Sequence, residues 1–302
     1  MRILITGGSG MVGRSLKKYL PDAIYVSSQD YSLTSEIQVE SMFKDIRPEI
    51  VIHLAARVGG IIDNIKYPAN YFDDNIIMNT LVVKHSQKNK VKRFIGILST
   101  CIYPDIVESY PITEPMLHLG PPSKTNFSYG YSKRALATQI EAYNHQYNTQ
   151  YQYLIPCNLY GEYDKYGDNS HFIAALIKKI HIAKKNNENE ITLFGDGSPL
   201  RQFMHSQDLA FIIKHCLDND IYDNMNIAVD QNISIKEMAS IALRACDAEH
   251  IHINYDINKP NGQYRKDVSV DLLKSKIHNF EPIDLYQGIK KTYNYLIKNN
   301  IL

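Results

Sequence analysis

Short apolar runs alternate with longer stretches of helical periodicity through the first 160 residues. Residues 2–6 (RILIT) predict a buried first strand, and a glycine-rich turn and an amphipathic helix to about Leu20 follow it. Residues 23–27 predict a second strand, 35–46 a helix stopped by Arg47-Pro48, and Ile50 to Leu54 a third strand. A long helical pattern covers about 68–89. Residues 93–99 (RFIGILS) predict a fourth strand, 128–148 a helix and 151–157 a fifth strand. Such alternation is the signature of an α/β fold on a parallel sheet. After about residue 160 the pattern changes. Gly161 to Asn169 is polar and turn-rich, then come a helix over 171–185, a charged loop from Lys184 to Glu190 and short strand candidates. A second, smaller region is therefore expected there.

The composition keeps the ordinary globular classes open and closes others. Of 302 residues, 44% are hydrophobic and 22% charged, enough for a substantial core. A net charge of +1 gives no global field toward nucleic acid or an anionic membrane, so neither partner is expected. The cysteines Cys101, Cys157, Cys216 and Cys246 are far apart, with no C-x-x-C and no ligand-like spacing to histidine. Neither a disulfide framework nor a metal site is expected. The apolar run at the N-terminus breaks at glycine and is too short for a signal peptide. No stretch approaches the ~20 apolar residues of a membrane span. The expected compartment is the cytoplasm.

Gly7-Gly8-Ser9-Gly10-Met11-Val12-Gly13 reads G-x-x-G-x-x-G between a strand and a helix. Gly7 and Gly10 let the backbone turn sharply and approach a pyrophosphate, and Gly13 lets the helix pack close to the sheet. The helix N-terminus supplies N–H donors and partial positive charge. The turn points to a dinucleotide held by a Rossmann-type, doubly wound sheet. Near the cofactor's 2′ position the segment is Val26-Ser27-Ser28-Gln29-Asp30, with no arginine. Asp30 contacts a ribose hydroxyl, or the serines take a phosphate, or Asp30 only caps a turn.

Tyr129 and Lys133 stand four residues apart on a predicted helix and share a face. A lysine beside a phenol favours its ionisation, which suits a proton donor to a keto oxygen. The spacing alone is weak, because the chain has 22 tyrosines and Tyr286 with Lys290 repeats it. Position after the fourth strand singles out the first pair. Tyr131 is roughly opposite Lys133 and is the poorer candidate. Ser99 ends the fourth strand, where ligands of open α/β sheets sit, and is placed to donate to the same carbonyl.

Further stretches are Gly10-Met-Val-Gly13, Ala55-Ala-Arg-Val-Gly-Gly-Ile61, Tyr67-Pro-Ala69, Ser99-Thr-Cys-Ile-Tyr-Pro104, Tyr129 to Lys133, Asn158-Leu-Tyr-Gly161, Asn169-Ser-His171 and Gly195 to His205. In these the chain resembles the GDP-L-fucose synthase family, extended short-chain dehydrogenases that epimerise and reduce GDP-4-keto-6-deoxy-mannose. The likeness runs in one register from residue 2 to about 270. The resemblance implies Cys101 as the base and His171 as the acid of a 3,5-epimerisation, followed by reduction at C4 with Tyr129. It implies cofactor contacts at Gly7, Gly10, Met11, Val12, Gly13, Asp30, Leu54, Ala55, Ala56 and Lys133. It implies substrate contacts at Asn158, Lys179, Arg201 and Lys266, with Arg265 beside the last. NADPH is the implied cofactor, with NADH possible, since the family's arginines for the 2′-phosphate are replaced by Gly8-Ser9 and Ser27-Ser28-Gln29. A homodimer is implied too. The expected organisation is an NADP(H)-binding domain over 1–160, with segments around 205–230 returning to it, and a mainly substrate-binding domain over 161–302. Competing readings are a C4-reductase acting alone on a GDP-4-keto-6-deoxy-heptose, a redox-neutral 4-epimerase, and a non-catalytic NADP(H) sensor.

Overall fold

The computed structural model describes residues 1–167, 170–259 and 261–302. The strands are β1 (Ile3–Thr6), β2 (Ile24–Val26), β3 (Ile50–His53), β4 (Arg93–Ile97), β5 (Tyr151–Pro156) and β6 (Asn158–Tyr160). They continue as β7 (Glu190–Phe194), β8 (Leu200–Arg201), β9 (Phe203–His205), β10 (Met225–Ile227), β11 (Ile233–Ser234) and β12 (His252–Asp256). The helices are α1 (Met11–Leu16), α2 (Glu36–Ile46), α3 (Ile61–Lys66), α4 (Pro68–Lys88) and α5 (Phe127–Tyr147). After them come α6 (Phe172–Asn186), α7 (Ser206–Asp218), α8 (Ile235–Ala245), α9 (Asp271–Lys276) and α10 (Leu285–Lys298).

Six strands form one parallel sheet in the order β10-β5-β4-β3-β1-β2. Its inner strands are buried throughout, so they read as continuous apolar runs and not as alternating ones. Helix α4 packs against α2 and α5, and α1 packs against α7, giving a layered α/β body. In α2 the buried residues Val39, Met42, Phe43 and Ile46 form one stripe, and Arg47 closes the helix at a left-handed φ of 48°. Pro68 opens α4 at a position that needs no N–H donor.

Buried apolar side chains fall into two clusters. The first lies on the sheet and includes Leu4, Val51, Ile95 and Leu154, together with Met204 to Ala228 and Val268 to Ile277. The second gathers Tyr160, Ile173 to Ala183, Ile191, Phe203, Met238 to Ile251 and Leu285 to Leu296. Smaller strand pairs β6–β9, β7–β12 and β8–β11 belong to the later part of the chain.

Helix α3 has no forerunner in the hydrophobic pattern. Its Ile61, Ile62 and Ile65 are exposed, so it shows no core-facing stripe, and its one buried residue is Asn64. The first helix stops at Leu16, four residues short of Leu20, because residues 17–19 turn while Leu20 itself is buried.

Candidate active site

The chain runs from β1 to β2 on one side and then to β3 on the other, so the sheet reverses direction between β1 and β3. Open α/β sheets bind ligands beyond the carboxyl ends of strands at such a point. Gly7 follows β1 there with φ of +70°, and a Cβ on it would stand 2.7 Å from the Ala55 nitrogen. A Cβ on Gly13 would meet the Gly7 oxygen at 2.7 Å. Only glycine lets these two segments and the start of α1 close up into a backbone-lined cradle. Gly10 caps α1 without a side-chain hydrogen bond, so Met11, Val12 and Gly13 sit in a helix turn whose N–H groups are not satisfied by the cap. Leu54, Ala55 and Ala56 leave β3 on the facing side, with Leu54 N–H bonded to the Thr6 oxygen. The residues fit a dinucleotide. Asp30 accepts from the Ser27 N–H at 2.7 Å and the Ser27 hydroxyl at 2.8 Å, and these bonds hold its carboxyl below the usual range. In this geometry it caps the turn after β2.

The second group of residues gathers at the end of β4. Ser99 accepts the Cys101 N–H at 3.3 Å and starts a short 3-10 turn that presents the thiol. Burial works to raise the Cys101 thiol, but the Lys266 ammonium at 3.0 Å and bonds from Ser99 and Asn126 outweigh it and leave the thiol below its ordinary value. Tyr129 lies in the first turn of α5. Burial, the Cys101 sulfur and Tyr71 all raise its phenol, against a hydrogen bond with Ser99. The group therefore holds its proton at neutral pH, as a donor must. Lys133 is 2% exposed, donates to the Ile97 carbonyl at 2.7 Å and is lowered to about 7 by burial. The sequence reading has Lys133 easing the phenol's proton. In the structure its amine is turned onto β4, and Ser99 bonds the phenol.

His171 caps α6. Its Nδ1 lies 3.0 Å from Asp164 Oδ1, which fixes the ring and leaves Nε2 for a substrate. That bond, stronger than the opposing burial, raises the imidazole above 6.5, with the Cys101 charge adding to the shift. The shift favours the imidazolium over the neutral ring. Its folded value is raised, so the ion pair stabilises the fold fully below the unfolded histidine's pKa and fades as pH climbs through the folded one. Asp164→Asn is expected to shift the alkaline limb of an exchange rate that needs His171 as acid to lower pH. A limb left in place would show that Asp164 does not tune the imidazole.

A model of the NAD dependent epimerase/dehydratase family matches residues 3–228. The chain belongs to this family. Within it, the chain is 37% identical to GDP-L-fucose synthase of Dictyostelium discoideum over 98% of this chain and 95% of that one. The crystal structure of a GDP-L-fucose synthetase from Naegleria fowleri bound to NADP superposes with a TM-score of 0.91 at 30% identity, covering 99% of this chain and 93% of that one. A GDP-mannoheptose C4 reductase from Campylobacter jejuni with NADP bound gives 0.87 at 25% identity and 98% coverage of both.

The remaining candidates of this family member are spread along the cleft. Arg201 donates to the carbonyls of Leu200 (2.7 Å), Gln263 (2.6 Å) and Tyr264 (3.4 Å), and its charge feels Cys101. Asn158 donates to the Gln202 carbonyl at 2.9 Å, and this ties β6 to β9. Lys179 is exposed and reaches the Thr192 carbonyl at 2.6 Å. Lys266 donates to the Cys101 sulfur at 3.0 Å. Asn169, in the N-S-H motif, lies outside the described residues.

Sequence reasoning missed four contributors. Asp164 behind His171 has no periodic signal, being one acid in a polar segment. Asn126, which bonds Cys101 from the N-cap of α5, precedes the helix read over 128–148 and carried no signal of its own. Tyr71 donates to Asp63 at 2.6 Å, and a Cβ on Gly59 would meet its hydroxyl at 2.1 Å, which accounts for the first glycine of the V-G-G-I stretch. Phe194, just before the Gly195 loop, is 51% exposed with Lys179 at 5.5 Å and Lys259 at 5.8 Å from its ring centre.

Proposed function

We propose that the chain is an NADPH-dependent epimerase–reductase. It converts GDP-4-keto-6-deoxy-mannose into the 3,5-epimerised, C4-reduced product, a sugar of the GDP-L-fucose type. The observation that carries this is the convergence on Cys101: Tyr129, His171, Lys266 and Arg201, from four separate segments, all interact with its sulfur. A reductase needs the phenol with Ser99 and a hydride donor, and no thiol or imidazole. A lowered thiol facing a raised imidazole adds a base and an acid, which is what inversion beside a ketone requires.

The 4-keto group acidifies the protons on C3 and C5. Cys101 as thiolate takes a proton from one face, and His171 as imidazolium returns one from the other. Tyr129, with Ser99, gives the C4 oxygen its proton. A bound dihydronicotinamide supplies the hydride. Lys133, one turn along α5 from Tyr129, is our candidate for the ribose once its amine leaves the Ile97 carbonyl. Arg201 and Lys179 are our candidates for the diphosphate, with the exposed Phe194 ring as a stacking face for the base. Asn158 serves to position the sugar.

The test is mass spectrometry of the product formed from GDP-4-keto-6-deoxy-mannose and NADPH in D2O. Deuterium at C3 and C5 with reduction at C4 is expected. Reduction without deuterium would replace this reading by the C4-reductase.

A second copy of the chain is our proposed partner. Helices α4 and α5 pack together, and Phe72, Ile77, Tyr131 and Tyr147 on them are 36% exposed or more, an apolar surface suited to a twin helix pair. Sedimentation at the mass of one chain would remove it. Among the described residues no helix is long and apolar enough to cross a membrane. The free cysteines suit a reducing cytoplasm, our proposed location.

A further inference from the structure

Lys266 is carried by a strap that is anchored on both sides of it. Gln263 donates to the Asp105 carbonyl at 2.9 Å, and Tyr110 donates to the Arg265 carbonyl at 3.0 Å. Val268 forms a parallel bridge with Ile112, and Gln202 both accepts the Val268 N–H (2.9 Å) and donates to its carbonyl (3.0 Å). The neighbours of Lys266 are also engaged, because Arg265 is paired with Asp267 at 2.6 Å and lies over the Tyr110 ring. Between these fixed points the Lys266 side chain turns inward and its Nζ rests 3.0 Å from Cys101 Sγ. Among the described residues no acidic side chain is paired with that amine.

We infer that Lys266 is a positioning residue for the chemistry, the fixed cation that keeps Cys101 as a thiolate. This rests on the reading of Cys101 as the proton-abstracting group. A carbon acid beside a ketone surrenders its proton to a thiolate and not to a thiol, so the fraction ionised sets the rate. Other charged or titratable groups face the sulfur from every side. Arg201 approaches from β8, His171 from the N-terminus of α6 and Tyr129 from α5, with Asp164 behind the histidine and Tyr71 beside the phenol. Lys266 is the cation in direct hydrogen-bonding contact with it. An opposite charge at this range shifts a group by about 1–3 pH units.

The pH dependence of Cys101 alkylation by iodoacetamide, without substrate or cofactor, tests this. The thiolate attacks the methylene carbon, the C–S bond forms, and iodide leaves as the C–I bond breaks. Peptide mass spectrometry reads the site. Cys157, Cys216 and Cys246 are buried and pushed up to about 12, 11 and 12, so they stay silent at neutral pH. The wild type is expected to show a midpoint below the ~8.5 of a free thiol. Lys266→Met is expected to raise it by about 1–3 units and to slow alkylation at pH 7 about tenfold or more. Lys266→Arg, which keeps a charge, is expected to stay near the wild type. An unmoved midpoint in the methionine variant overturns the inference. Should that variant lose its cooperative thermal transition, the wild type decides, and a midpoint at or above that of a free thiol overturns it. The outcome is separate from the epimerase reading. Absence of deuterium from the product would leave a shifted midpoint standing, whereas an unmoved midpoint with normal deuterium entry would sink this inference alone.

Discussion

Replacing Cys101 with alanine is expected to stop solvent deuterium from reaching C3 and C5 while leaving hydride transfer to an already epimerised 4-ketone. The sulfur is a nucleophilic atom of lowered proton affinity on a residue that is only partly buried. No other cysteine can substitute, since the rest are buried. Loss of a general base costs about 10²–10⁴ in rate, or about 3–5 kcal/mol of barrier. The fold should survive, because the strap opposite is held by Ile112, Gln202 and Tyr110 independently of the sulfur. Mass spectrometry and hydride consumption, measured on the two ketones separately, check the result. Loss of both activities in a folded variant would show that Cys101 does not act as the epimerisation base.

The second large effect belongs to Tyr129. Tyr129→Phe keeps the ring and removes the proton donor, so reduction at C4 should fall by about 10²–10⁴ while deuterium exchange continues. The prediction follows from the direction of the phenol's shift. Burial and the charge on Cys101 hold the proton on oxygen until an alkoxide develops beside it. Loss of the hydroxyl also removes Ser99's partner, which leaves Ser99 free to donate to the carbonyl and sets a floor under the residual rate. Full turnover in the phenylalanine variant would refute the assignment.

How far these side chains could be read from the chain depends on how local their signals are. The inner strands β3, β4 and β5 were legible because each is buried along its length and reads as a nearly continuous apolar run, whereas the edge strand β10 was not read as a strand. Gly7, Gly10 and Gly13 were legible because one backbone turn demands them together. Tyr129 and Lys133 were legible because a helix places them one turn apart. Lys266 was placed by resemblance among the diphosphate contacts, and its contact with Cys101 depends on a pairing across 165 positions that no periodicity encodes. Asp164 and Asn126 were illegible for the same reason, since a hydrogen bond made through space leaves no spacing behind. Helix α3 was illegible because its apolar side chains face outward.

The two hydrophobic clusters are stitched together by the course of the backbone. Passing from Cys157 to Tyr160, Phe203 to Met204, Ala228 to Ile233, Ile251 to Val268 and Ile277 to Leu285, the chain changes cluster each time. A ribosome that has released the first 160 residues has therefore delivered a sheet still missing β10 at its edge and the helix that covers α1. Neither interior can close until nearly the last helix has emerged. Cutting the gene at the apparent boundary would leave two fragments that each expose an unfinished core, and such fragments are expected to aggregate when expressed apart. Long-range closure of this kind delays folding until synthesis is nearly complete, so the nascent chain has to be kept from premature association until its C-terminal third arrives.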